Sequence, residues 1–185
     1  PAPRVIPPGP SPRPTALIPS RFRAVSADRV VGFMRLSGDL QVHVVVQLAG
    51  HVDEARLARA LRWLLDTEPV LGCRFVSGRW RPRWERHEDL DRIPFCDLVE
   101  GGEGQDDIIA YLASPPDPRG MPMLRLRIFR RDDGDVLALK VNHVVADGGG
   151  SKACAYSLCA LYNALGDTPD LQPTPNLAGR RSLWQ

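Results

Sequence analysis

The spacing of apolar residues changes along the chain, and each change marks an element. Residues 41–48 are dense in valine (Val42, Val44, Val45, Val46) and stop before Gly50, the pattern of a buried strand. From 53 to 67 the period becomes helical. Leu57, Leu61, Leu64 and Leu65 form one apolar stripe, Asp53 can cap the first turn, Glu54 suits its positive end and Pro69 stops the run. Residues 27–36 read as a shorter helix, with Val30, Val31, Phe33 and Met34 as its apolar side. Residues 70–76 and 79–85 pair as a hairpin turned by Ser77-Gly78, a short strand follows at 95–99, and 105–113 is a helix ended by Pro115-Pro116. Residues 123–131 alternate, with Leu124, Leu126 and Ile128 on one face and Arg125 and Arg127 on the other. Asp132-Asp133-Gly134 turns the chain, 136–145 returns as the partner strand, and 151–165 is a helix with Cys154, Leu158, Leu161 and Leu165 on one stripe. Helices and strands alternate with hairpins among them. The expected class is α/β, an α+β two-layer sandwich whose mixed sheet is covered by helices.

A chain of 185 residues suffices for one domain with a real core. Residues 1–20 form a proline-rich leader that cannot make a helix or an internal strand and lacks the apolar content to pack. The folded unit spans 21–166, and 167–185 turn polar and proline-rich again as a linker. A net charge of +2 implies no polyanion partner, and the alternating Arg79, Arg81, Arg83 and Arg86 read as a solvated strand face rather than a nucleic-acid surface. Cys73, Cys96, Cys154 and Cys159 include no C-x-x-C pair and no zinc spacing, so free thiols in a reducing cytoplasm are expected. No apolar run approaches the roughly 20 residues of a membrane span, and the leader has no signal core.

Candidate chemistry concentrates in Asn142-His143-Val144-Val145-Ala146-Asp147-Gly148-Gly149-Gly150, between the last strand and the last helix. Alternation places Leu137, Leu139, Val141 and His143 on one face and Ala138, Lys140 and Asn142 on the other. His143 thus emerges on the apolar side of the sheet, partly desolvated and available as a base. Asp147 can turn back to the loop backbone or an arginine, and the glycines leave room for a substrate. His43, His51 and His87 have no partner at useful spacing and read as structural or solvated. Asp132, Asp133 and Asp135 are explained by a tight turn rather than a cation site. The three glycines lack the lysine-serine of a phosphate loop and any G-x-G-x-x-G, and Trp63, Trp80, Trp84 and Trp184 are too dispersed to stack bases.

The run from Asn142 to Gly148 resembles the H-H-x-x-x-D-G signature of the condensation-domain and acyl-CoA-dependent acyltransferase superfamily, which includes chloramphenicol acetyltransferase. The helix at 53–67 followed by Leu71-Gly72-Cys73-Arg74-Phe75 is similar to that family's "A-L…L-R-T-R-F" passage, and the element order fits the amino-terminal half of its pseudo-dimeric fold. The resemblance implies an acyl thioester, on coenzyme A or on a carrier protein's phosphopantetheine, attacked by an alcohol or amine. No tightly bound cofactor is implied. His143 would take the proton or orient the nucleophile, Asp147 would hold the loop through an arginine, and Gly148 would keep a tunnel open. Asn142 stands in place of the first histidine. Gly72 replaces an arginine, leaving Arg74 as the candidate partner of Asp147. The second half of the fold would have to come from the same or another chain. The rival is a non-catalytic scaffold or carrier-docking module that keeps the fold without turnover.

Overall fold

The structure, a computed structural model, describes residues 2–9, 14, 16–34, 40–76, 82–101, 104–114 and 123–177. Its main layer is a five-stranded sheet. The strands are β1 (Arg4–Val5), β6 (Cys96–Glu100), β7 (Leu124–Arg131), β8 (Gly134–Asn142) and β3 (Gln41–Gln47), in that spatial order. Only β6 and β7 run parallel, so the sheet is mixed as expected. A second, antiparallel sheet has β5 (Arg83–Arg86) between β2 (Arg21–Arg23) and β4 (Cys73–Val76).

The helices are α1 (Ser26–Met34), α2 (Glu54–Thr67), α3 (Gln105–Ala113) and α4 (Gly148–Asp167). The start of α2 is set as its sequence implies, with Asp53 accepting the Arg56 N–H at 3.0 Å. Its stripe of Leu57, Leu61, Leu64 and Leu65 is fully buried, against one face of the five-stranded sheet and against Cys154, Leu158 and Leu165 of α4. Each such leucine contributes about 1.5–3 kcal/mol by leaving water. The helices α2 and α4 form one layer on this face, so the expected α/β class holds, but the sheet is covered on both faces rather than in two layers. On the sheet's other face α3 adds Ile108 and Tyr111 over Val99, Phe129, Val136 and Ala138. Lys140 is buried there too, its Nζ donating to the carbonyls of Tyr111 and Ser114 at 2.9 and 2.7 Å.

Several expectations are corrected. The valine-rich strand β3 is not buried but sits at the sheet edge, with Val45 and Val46 49% and 36% exposed. Valine there satisfies strand propensity, which does not distinguish an edge from a centre. The leader is not wholly unpacked: Arg4 and Val5 pair with Leu98 and Asp97, and Ile6 is buried against the core. A proline-flanked dipeptide can do this because an edge strand needs only one hydrogen-bonded side. Beyond α4, residues 168–177 also fold back, Asn176 N–H donating to the Thr67 carbonyl at 2.7 Å. Residues 70–72 form part of a 3-10 turn, Pro69–Gly72, so β4 begins later than predicted. The turn Ser77-Gly78 lies outside the described residues, as do Arg79 and Arg81. Arg86 does not share the solvated face with Arg83: three positions apart on a strand, the two point to opposite sides.

Candidate active site

The last strand was expected to run to 145, but β8 closes at Asn142 and a turn follows. The cause is Asn142. Its side-chain Oδ1 accepts the Val144 N–H at 3.0 Å, and its carbonyl accepts from Val145 at 3.0 Å and Ala146 at 3.3 Å. Such an asparagine turn competes with the ladder and ends it. On its strand side Asn142 N–H donates to Met123 O at 2.8 Å, and His143 N–H donates to Leu40 O at 2.8 Å. His143 is therefore the first residue beyond the strand, held by its backbone between two sheet neighbours. It is half-buried, and its Nδ1 is shielded from solvent with no hydrogen-bond partner among the described residues.

Four residues on, Asp147 is the N-cap of α4, its Oδ1 accepting the Gly150 N–H at 2.7 Å. The helix thus starts at Gly148, three residues before the predicted 151. Three successive glycines have poor helix propensity and hid this start; the cap and the packing of the following turns override it. Gly148 is exposed, and a Cβ added there would meet nothing within 4 Å. Among the described residues no contact demands a glycine at that position.

Arg74 does not pair with Asp147. It points out of the small sheet and bonds Glu85 at 3.1 Å, while the Asp147 carboxylate is engaged by its own helix. Gly72 has its own structural cause. Arg86 passes over it, donating to the carbonyls of Leu65 and Pro69 at 2.8 and 2.9 Å and pairing with the buried Asp66. A Cβ at Gly72 would lie 2.8 Å from Arg86 Nη1 and 2.9 Å from a Leu90 methyl. A long side chain at 72 and this placement of Arg86 exclude each other.

Two arrangements escaped the sequence reading. Ser151, one turn into α4, is completely buried, and its Oγ has no hydrogen-bond partner among the described residues. At the opposite end of β8, His51 is partnered after all, its Nδ1 3.0 Å from Oδ1 of the fully buried Asp135. Asp135 also accepts from Val52 N–H at 2.8 Å and from Arg130 at 3.1 and 3.2 Å. Burial alone would push its carboxyl up, but the bonds from Arg130, His51 and Val52 outweigh that and hold it below the usual carboxylate range. Neither arrangement has a local signal; His51 and Asp135 are separated by 84 residues.

The cysteines are free thiols. Burial pushes Cys96 up to about 12 and Cys154 up to about 11, which leaves both poor nucleophiles. Among the described residues no group of histidines, cysteines and acids is placed to hold a metal ion, and no helix is long and apolar enough to cross a membrane.

No protein-family model matches the chain. Among curated proteins it is similar to bacitracin synthase 3 of Bacillus licheniformis, 21% identical over 141 residues, 76% of this chain and 2% of the synthase. It is also similar to the nonribosomal peptide synthetase ungA of Aspergillus violaceofuscus, 25% identical over 115 residues, 62% of this chain and 1% of that protein. Among solved structures, the first condensation domain of the CDA synthetase superposes with a TM-score of 0.65 at 22% identity, over 80% of this chain and 40% of that one. The starter condensation domain of the rhizomide synthetase RzmA gives 0.66 at 15% identity, over 84% and 40%. Polyketide synthase associated protein 5 of Mycobacterium tuberculosis gives 0.61 at 22% identity, over 86% and 38%. The chain spans about two fifths of the length of these structures and a very small part of the curated synthetases. It carries a condensation-domain fold, of the chloramphenicol acetyltransferase type, over that part of its length, with His143 where the last sheet strand gives way to α4.

Proposed function

We propose that this chain is the amino-terminal part of an enzyme that forms an amide or ester from an acyl thioester, with His143 as its base. The donor would be an acyl group on coenzyme A or on the phosphopantetheine of an acyl carrier protein, and the acceptor a small amine or alcohol. The acceptor's nitrogen or oxygen attacks the thioester carbonyl, its proton passes to the His143 imidazole, and the thiolate leaves and is reprotonated. Such a reaction asks the protein for orientation and one well-placed base, each able to supply about two or more orders of magnitude in rate. The observation that carries this reading is the imidazole itself: a half-buried histidine fixed by its backbone at a strand end, its Nδ1 without a hydrogen-bond partner among the described residues. The fold similarity and the open space above Gly148 support it. Asp147 caps α4 and so sets the position of the loop that presents His143. The remainder of the fold, in the same or another chain, would complete the substrate channel.

One observation favours a second reading, a scaffold or carrier-docking module without turnover. The residue in place of the first motif histidine, Asn142, is committed to the turn through its side chain. The test is direct. The complete protein is mixed with acyl-CoA or acyl carrier protein and a panel of amines and alcohols, and thioester consumption is compared with His143→Ala. The catalytic reading expects a fall of about 100-fold or more in the variant. Equal rates, or none from the complete protein, overturn it in favour of the scaffold.

A further inference from the structure

The three-stranded sheet β2–β5–β4 has two very different faces. One carries the row Phe22, Trp84 and Phe75, with Phe75 edge-on to Trp84 at 5.0 Å between ring centroids, and it is turned inward. Alternation puts Arg21, Glu85 and Arg74 side by side on the other face, with Arg23, Arg83 and Val76 in the next row of that face. Arg21, Arg74 and Arg83 are 71%, 57% and 41% exposed, and all three converge on Glu85, at 3.7, 3.1 and 2.7 Å. Arg23 is exposed and has no carboxylate in salt-bridge range among the described residues. Four arginines against one glutamate give this face a formal charge of +3, more than the net +2 of the whole chain.

Folding does not call for this arrangement. Glu85 is held below the usual carboxylate range by hydrogen bonds from Arg83 and then Arg74, so it needs no third cation. Exposed ion pairs of this kind contribute little to stability. Arg23 stands directly opposite Arg83 in the register, a like-charge cross-strand pair that costs stability. An excess of positive charge on one face is complementary to a partner that brings negative charge.

The form of the face indicates which partner. It measures about 10 Å across its three strands and about 7 Å between its two rows. Two turns of helix cover about 11 Å, so carboxylates on one face of an acidic helix match that span. Guanidinium groups suit carboxylates bidentately. Single-stranded nucleic acid fits less well, because it uses exposed aromatic rings for stacking and here the aromatic row is turned away. We infer that the outer face of β2–β5–β4, through Arg21, Arg23, Arg74 and Arg83, docks an acidic helix of a partner protein. This surface is independent of the His143 chemistry and stands whether or not the protein turns over a thioester.

The full-length protein is titrated with a fluorescent alanine-based helical peptide carrying glutamates at every third or fourth position. Its glutamine counterpart and an oligothymidylate serve as comparisons. The expected result is binding of the glutamate peptide that weakens with salt, with the glutamine peptide weaker by about tenfold or more. The Arg21→Ala/Arg74→Ala variant is expected to lose binding by about the same factor while keeping its circular dichroism and unfolding midpoint. If that variant does not fold, Arg23→Gln, which removes a charge that Glu85 does not pair, must show the loss. No binding of the glutamate peptide at low salt, equal binding of both peptides, insensitivity to the arginine variants, or tighter arginine-dependent binding of the oligonucleotide would each overturn the inference.

Discussion

The two ends of β8 hold nearly the same residues and treat them in opposite ways. At the start of the strand Gly134 and Asp135 meet His51; just past its end His143, Asp147 and Gly148 follow one another along the chain. In the first group every named polar atom is engaged: Asp135 is fully buried yet accepts from His51, Val52 and Arg130. Gly134 turns there at a φ of 144°, where a Cβ would collide with the Leu48 carbonyl. In the second group Asp147 bonds its own helix, and among the described residues the imidazole has an unpartnered nitrogen and nothing lies against Gly148. A histidine beside an aspartate is therefore not by itself a mark of chemistry. The paired set clamps the β7–β8 hairpin to the start of α2, and the unpaired one has a capacity that the described residues leave unused.

That contrast can be broken by experiment. The largest effect should come from Asp135→Ala, which leaves the half-buried Arg130 with only Glu54 and the Val52 carbonyl, strands the Val52 N–H, and costs about 3 kcal/mol in denaturant unfolding. Because the Asp135 carboxyl titrates lower in the folded state, its stabilisation is complete above the unfolded value of about 3.9 and is lost as pH falls through the lower folded value. The stability gap between the wild type and Asp135→Asn should thus close as pH falls below about 4. Next in size, His143→Ala should remove about 100-fold of any thioester turnover with an unchanged unfolding midpoint, whereas His51→Ala should leave turnover intact. If both histidine variants lose rate equally, the two ends are not distinct.

Gly72→Arg restores the residue type the motif resemblance would place there. It should destabilise by about 1–3 kcal/mol, because it displaces Arg86 from the carbonyls of Leu65 and Pro69. A neutral result would mean that Arg86 vacates the space readily. The smallest effect is expected for Asp147→Ala, about 1 kcal/mol of lost helix cap, read by thermal unfolding. A loss as large as that of Asp135→Ala would make the His143 loop as much a clamp as the other end.

Periodicity and caps made much of this legible beforehand. The α2 stripe with its Asp53 cap, α3, and the β7–β8 pairing are local patterns whose physical cause lies within a few residues, and each appears close to where it was expected. Motif resemblance led to the fold and to the strand-to-helix passage at His143. Other features rest on long-range placement. Whether a valine-rich strand is central or at an edge depends on which strands flank it, which put β3 outside and drew Arg4 and Val5 onto the opposite edge. Where β8 stops was decided by one asparagine side chain choosing the turn over the ladder. The fate of each arginine was equally non-local: Arg86 turns inward over Gly72, and Arg74 pairs across the strand with Glu85 instead of reaching Asp147. The sequence by itself determined the elements and the chemistry available, because propensity and alternation act over short spans. Only the tertiary structure decided which polar groups are consumed by partners and which are left over, because a hydrogen bond is satisfied by whatever residue the fold brings within about 3 Å.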